Sequence, residues 1–126
     1  DHTVKLLQTI GSPAFPTPQP DLRDKVALAA ARSFYPPGIV RQMVAIVADT
    51  TRATELKAIS VPTLVIHGRA DPLVPFPGGE DTARRIPGAV LHGVDGMGHD
   101  LPPAVVEHIL TPLIPHLKAA EALQHP

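Results

Sequence analysis

Residues Val61 to Pro75 read VPTLVIHGRADPLVP. Val61, Leu64, Val65 and Ile66 make a short apolar, β-rich run; His67-Gly68 ends it, and Asp71 follows in a proline-flanked loop. A run of that length between turn signals predicts a strand buried on both faces, as in a parallel sheet. The Asp71 carboxylate then lies just past the strand's carboxyl end, where open α/β sheets place their chemistry.

Downstream, Pro77-Gly78-Gly79 precedes a helix expected over about Glu80 to Ile86. Its early Glu80 and Asp81 and late Arg84 and Arg85 complement the helix dipole. Pro87-Gly88 closes it, and Ala89 to Val94 (AVLHGV) reads as a second strand. Joining two strands through a helix predicts a right-handed crossover and a parallel pair. From Pro103 to about Leu123, Val105, Ile109, Leu113 and Leu117 share an apolar face, and Pro112 and Pro115 predict a kinked helix with a frayed tail.

Upstream, Asp1 to Ile10 spaces Val4, Leu6, Leu7 and Ile10 for a helix that Gly11 stops. Pro13, Pro16, Pro18 and Pro20 predict an extended connection, with linker and lid loop both open. Asp21 is the expected cap of a helix through about Phe34, and a second helix is expected from about Pro37 to Ala48. Ile39, Val40, Met43, Val44 and Val47 form its apolar stripe. Asp49 and Thr50 open a short helix through Leu56 and Ile59. Residues 1–60 therefore read as helical and residues 61–126 as α/β.

The whole chain has 126 residues, 44% of them hydrophobic, which suffices for one core. Aromatic residues are only 3% and prolines number 16, so burial falls to Val, Ile, Leu and Ala in short elements. The net charge of −1 and the lack of a Lys/Arg run give no footprint for nucleic acid or an acidic membrane. With no cysteine there is no disulfide framework, thiolate nucleophile or Cys-ligated zinc. Neither a long apolar span nor a basic-then-apolar leader is evident, and cytoplasm is the default compartment. The start at Asp1 without methionine suggests a chain cut from, or encoded within, something longer.

Two loops follow the two strands, and each carries one group suited to proton chemistry: Asp71, and His99 within GMGHDLP. Adjacent parallel strands bring both loops to one sheet edge. A carboxylate bonded to Nδ1 of an imidazole fixes its tautomer and stabilises the imidazolium, leaving Nε2 as a general base. Gly96 and Gly98 suit a loop with unusual backbone angles that aims His99 inward.

VPTLVIHGRADPLVP, a helix, a strand and GMGHDLP together resemble the C-terminal end of an α/β-hydrolase fold, whose triad acid follows strand seven and whose histidine follows strand eight. The resemblance implies that Asp71 is the acid and His99 the base. Residues 1–60 resemble, less specifically, the later part of the helical cap inserted before strand seven. The group that includes aclacinomycin methylesterase and related bacterial esterases is the nearest likeness. The fold class is thus α/β: a partial helical cap (1–60), then β-α-β-α from the C-terminal core (61–126), with an incomplete two-strand sheet needing a partner chain.

The nucleophile elbow G-x-S-x-G is missing. Ser12 is flanked by Ile10 and Ala14 where glycines belong, Ser33 by Ala31 and Tyr35, and Ser60 by Ala58 and Pro62; Asp95 has Gly93 before it but Met97 after. The oxyanion donors that the family takes from the elbow and the loop after strand three are absent as well. The expectation is therefore a serine-type ester hydrolase in which this chain supplies acid and histidine. The nucleophile and missing strands come from the N-terminal portion of the same enzyme, or burial comes from a second copy. The resemblance implies no metal or organic cofactor and a small-molecule ester as substrate. Two alternatives stand: an inactive, self-associating or binding fragment, and an epoxide hydrolase, dehalogenase or haloperoxidase of the same fold.

Phe76 and Met97 sit beside the two loops, where pocket lining and core packing are both open. Core packing is expected for Met43 and Phe34. His67 and His92 fall in or at the ends of strands without metal-ligand spacing, and read as strand-packing or edge residues. Asp100 is expected to serve the His99 loop or cap the last helix. His2, His108, His116 and His125 have no evident partners in sequence.

Overall fold

The computed structural model describes residues 2–123; Asp1 and His125 lie outside the described residues. Four helices come first: α1 (His2–Ile10), α2 (Gln19–Arg32), α3 (Pro37–Ala48) and α4 (Arg52–Glu55), the last running into a 3-10 turn at Leu56–Ala58. Then follow β1 (Leu64–Gly68), α5 (Phe76–Arg85), β2 (Val90–Val94), a 3-10 turn at Pro103–Val105 and α6 (Val106–Ala122). The two strands pair in parallel, with Leu64 opposite Val90 and Gly68 opposite Val94, so the expected crossover unit is present.

Side-chain alternation along β1 places the two flanking helices on opposite faces. Ile66 packs with Val94, Met97, Val105 and Ile109 of α6, the main apolar cluster, which Phe15 also joins. The next side chain, His67, points the other way and meets the Phe76 ring edge-on at 5.7 Å on α5. Each face of β1 thus has one helix, and Leu64–His67 are half-buried while Gly68 is buried. The expected burial of the strand on both faces is only partly met by the described residues.

Several boundaries shift for local reasons. Val61 is outside the strand and 63% exposed; Pro62 has no N–H to offer, and pairing begins when the Thr63 carbonyl accepts Val90 N–H at 3.0 Å. α2 starts at Gln19 with Pro20 in its first turn, so Asp21 is a first-turn acid rather than the cap. α5 begins at Phe76, taking in Pro77-Gly78-Gly79; Glu80 and Asp81 therefore fall beyond its first turn, and Asp81 instead pairs with Arg84 and Arg85. The N-cap of α4 is Thr51, and Asp49, two residues before it, accepts Arg52 N–H on Oδ1 at 3.1 Å. α6 runs on through Pro112 and Pro115, both inside the helix.

α1 and α2 pack together, burying Val4 and Leu22. α3 stands apart from the other elements, with Ile39, Val40, Met43, Val44, Ile46 and Val47 all exposed. Phe34, between α2 and α3 and 81% exposed, and Met43 on α3 are both at the surface, contrary to the core role expected for them; for Met43 the reason is that no other helix or strand packs on α3. His108 has a partner that its sequence neighbours do not reveal: its ring lies 5.1 Å from that of Phe15. Among the described residues no helix is long and apolar enough to cross a membrane.

Candidate active site

The loops leaving β1 and β2 cross closely at the sheet's carboxyl edge. The carbonyl of Val94 accepts Arg69 N–H, and that of Met97 accepts Ala70 N–H, both at 3.0 Å. A Cβ on Gly68 would lie 2.3 Å from the Met97 carbonyl oxygen, so this crossing requires glycine. Gly96 has φ +70°, as a turn glycine does. Gly98 is glycine for another reason: a Cβ there would lie 2.3 Å from the Gly11 carbonyl oxygen.

Asp71 Oδ2 lies 2.8 Å from Nδ1 of His99. Its Oδ1 accepts the N–H groups of Leu73 (2.9 Å) and Val74 (2.8 Å), a turn that holds the carboxylate in one orientation. The Asp71 side chain is 6% exposed and that of His99 41%, so the acid is covered and the imidazole open. Burial acts to raise the Asp71 carboxyl, but the Val74 N–H, the His99 ring and the Leu73 N–H outweigh it and hold it below the usual carboxylate value.

His67 buttresses this turn. Its Nε2 lies 2.8 Å from the Val74 carbonyl oxygen, to which it donates as the Nε2–H tautomer, and 3.8 Å from Asp71 Oδ2. Arg69 lies over the Phe76 ring, 4.4 Å from its centroid, and its Nε is 3.1 Å from Asp95.

A cleft of about 400 Å³ opens beside the pair, lined by Ile66, His67, Asp71, Met97, His99 and Leu101 among others. Met97 both lines the cleft and packs in the core at 8% exposure. Phe76 sits at the start of α5, stacked under Arg69 and against His67.

The loop after α1 also grips the His99 loop. His99 N–H donates to the Ile10 carbonyl at 2.7 Å, Gly98 N–H to Ser12 Oγ at 2.9 Å, and Ala14 N–H to the Gly96 carbonyl at 3.1 Å. Asp100 Oδ1 accepts both Ser12 N–H (2.9 Å) and its hydroxyl (2.5 Å). Asp100 therefore serves the loop, and Ser12 is a neighbour of His99 that no local pattern marks. Among the described residues no group of three His, Cys, Asp or Glu side chains is placed to hold a metal ion.

Residues 43–123 match the family model described as TAP-like protein, an α/β-hydrolase family. The chain is similar to rhodomycin D methylesterase DnrP of Streptomyces peucetius, 36% identical over 98 residues, which cover 78% of this chain and 32% of that protein. It is similar to rhodomycin D methylesterase DauP of Streptomyces sp. (strain C5), 37% identical over 98 residues with the same shares covered. The chain thus spans about a third of the length of the curated relatives it matches.

Proposed function

Because the chain belongs to the TAP-like family of α/β hydrolases, we propose that it supplies the acid and base of a serine-type carboxylic-ester hydrolase. The observation that carries this reading is the 2.8 Å contact from the covered Asp71 carboxylate to Nδ1 of the open His99 ring. Asp71 keeps the proton on Nδ1, which leaves the Nε2 lone pair free to accept one. A serine hydroxyl loses its proton to Nε2 as its oxygen attacks the acyl carbon. His99 then delivers that proton to the departing alkoxide, and a water activated in the same way releases the acid.

No G-x-S-x-G occurs among the 126 residues, so in this proposal the serine and oxyanion donors are contributed from outside them. On this reading residues 1–60 belong to a helical cap, and the exposed α3 side chains are covered by the portion that carries the serine or by a second copy. The names of the two methylesterases support a methyl ester as the substrate class.

The test is hydrolysis of a p-nitrophenyl ester by the chain joined to its nucleophile-bearing portion. His99→Ala is expected to abolish turnover; unchanged turnover overturns the reading. Labelling by a fluorophosphonate supports a serine nucleophile, whereas labelling by a haloalkane assigns the aspartate chemistry of a dehalogenase.

A further inference from the structure

The imidazole of His99 makes one hydrogen bond among the described residues, to Asp71, and is otherwise substantially open. Where the ring points therefore depends on how its backbone is held. Beside the bond from Ala70 N–H to the Met97 carbonyl, that backbone is held from the end of α1 and the loop after it, where Ser12 Oγ accepts Gly98 N–H and the Ile10 carbonyl accepts His99 N–H. Ser12 is 3% exposed, and its hydroxyl accepts from Gly98 while donating to Asp100. One side chain thus bridges the residues immediately before and after His99.

We propose that Ser12 and Asp100 are positioning residues for His99, setting the imidazole on Asp71 from the helical half of the chain. The inference rests on the reading of Asp71 and His99 as an acid–base pair. A buried hydroxyl that donates and accepts at once has its geometry determined from both sides. Losing it leaves Gly98 N–H without its acceptor and Asp100 Oδ1 with only the backbone N–H of residue 12, and the loop between them free to shift. Displacements of about 1 Å at a catalytic group are enough to cost about 10²-fold in rate. Asp100 needs only an acceptor oxygen for this role, not a charge.

The test is the Nδ1–H proton resonance of His99 in the full chain, observed by NMR. In the parent it is expected downfield, as in a ring bonded to a carboxylate. Ser12→Ala and Asp100→Ala are expected to lose it while dispersed amide signals persist, and Asp100→Asn, which keeps an Oδ1 acceptor, to retain it. An unchanged resonance in folded Ser12→Ala overturns the proposal. If Ser12→Ala does not fold, the two Asp100 variants decide: loss in folded Asp100→Ala with retention in Asp100→Asn supports the role, and retention in folded Asp100→Ala or loss in folded Asp100→Asn overturns it. Asp71→Asn separates the two levels. If it leaves the resonance unchanged, the pair itself fails; if it removes the resonance and Ser12→Ala does not, only the positioning role fails.

Discussion

Asp71 is held from its own turn and not by His99: Oδ1 takes the Leu73 and Val74 N–H groups, which leaves Oδ2 for the imidazole at 2.8 Å. The carboxylate is thus fixed in orientation by its own turn, the preorganisation that the proposed stabilisation of an imidazolium requires.

Asp71→Asn separates orientation from charge. With its Oδ1 kept on Leu73 and Val74, the amide presents N–H to Nδ1, so the imidazole carries its proton on Nε2 and ceases to be a base there. In the complete hydrolase kcat for a p-nitrophenyl ester is expected to fall by about 10⁴-fold, with the urea midpoint little changed. A loss below tenfold would show that Asp71 does not set the tautomer.

The depressed Asp71 carboxyl also ties stability to pH. Its folded-state pKa lies below the ordinary carboxylate value, so its contribution is complete above that ordinary value and is lost as pH falls through the folded one. The denaturation midpoint followed by circular dichroism is expected to hold from pH 7 to about 5 and decline below about 4. Asp71→Asn should flatten that decline, and an identical acid limb would assign it to other carboxylates.

Gly98→Ala tests the contact between the two halves of the chain. Its Cβ would meet the Gly11 carbonyl oxygen at 2.3 Å and the Ile10 carbonyl oxygen at 2.7 Å, backbone atoms that do not swing aside. The expected cost is about 1–3 kcal/mol in urea denaturation, the range for forced overpacking. Since His99 N–H bonds to that same Ile10 carbonyl at 2.7 Å, the Nδ1–H signal of His99 should be lost as well.

The contact between Asp71 and His99 was legible because its signals are local: an apolar run, a carboxylate after it, a second run, and a histidine among glycines. Parallel pairing then brings together residues that lie 28 positions apart. Ser12 was not legible, since its partners Gly98 and Asp100 lie 86 and 88 positions away and nothing in GSPAF indicates which loop it meets. The start of α5 escaped for the same reason. Pro-Gly-Gly reads as a breaker by propensity, whereas in the fold Gly79 lies against His67 across space. The α3 stripe was legible as apolar but not as exposed, because burial depends on what lies opposite.

That last pair of glycines makes a differential test, because propensity and packing oppose each other at adjacent positions. Replacing a helical glycine by alanine ordinarily stabilises by about 0.5–1 kcal/mol. At Gly78 a Cβ meets only Val74 Cγ1, at 3.7 Å, so Gly78→Ala is expected to stabilise by about that amount or slightly less in the first turn of α5. At Gly79 a Cβ would lie 2.5 Å from His67 Nδ1 and 2.9 Å from its Cγ. That ring is held by the Val74 carbonyl on one side and the Phe76 edge on another, so it yields only by releasing the turn that carries Asp71. Gly79→Ala is therefore expected to destabilise by about 1–3 kcal/mol, read from thermal or urea denaturation beside Gly78→Ala. Equal stabilisation by both alanines would show that the His67 ring moves freely, and would remove it from the support of Asp71.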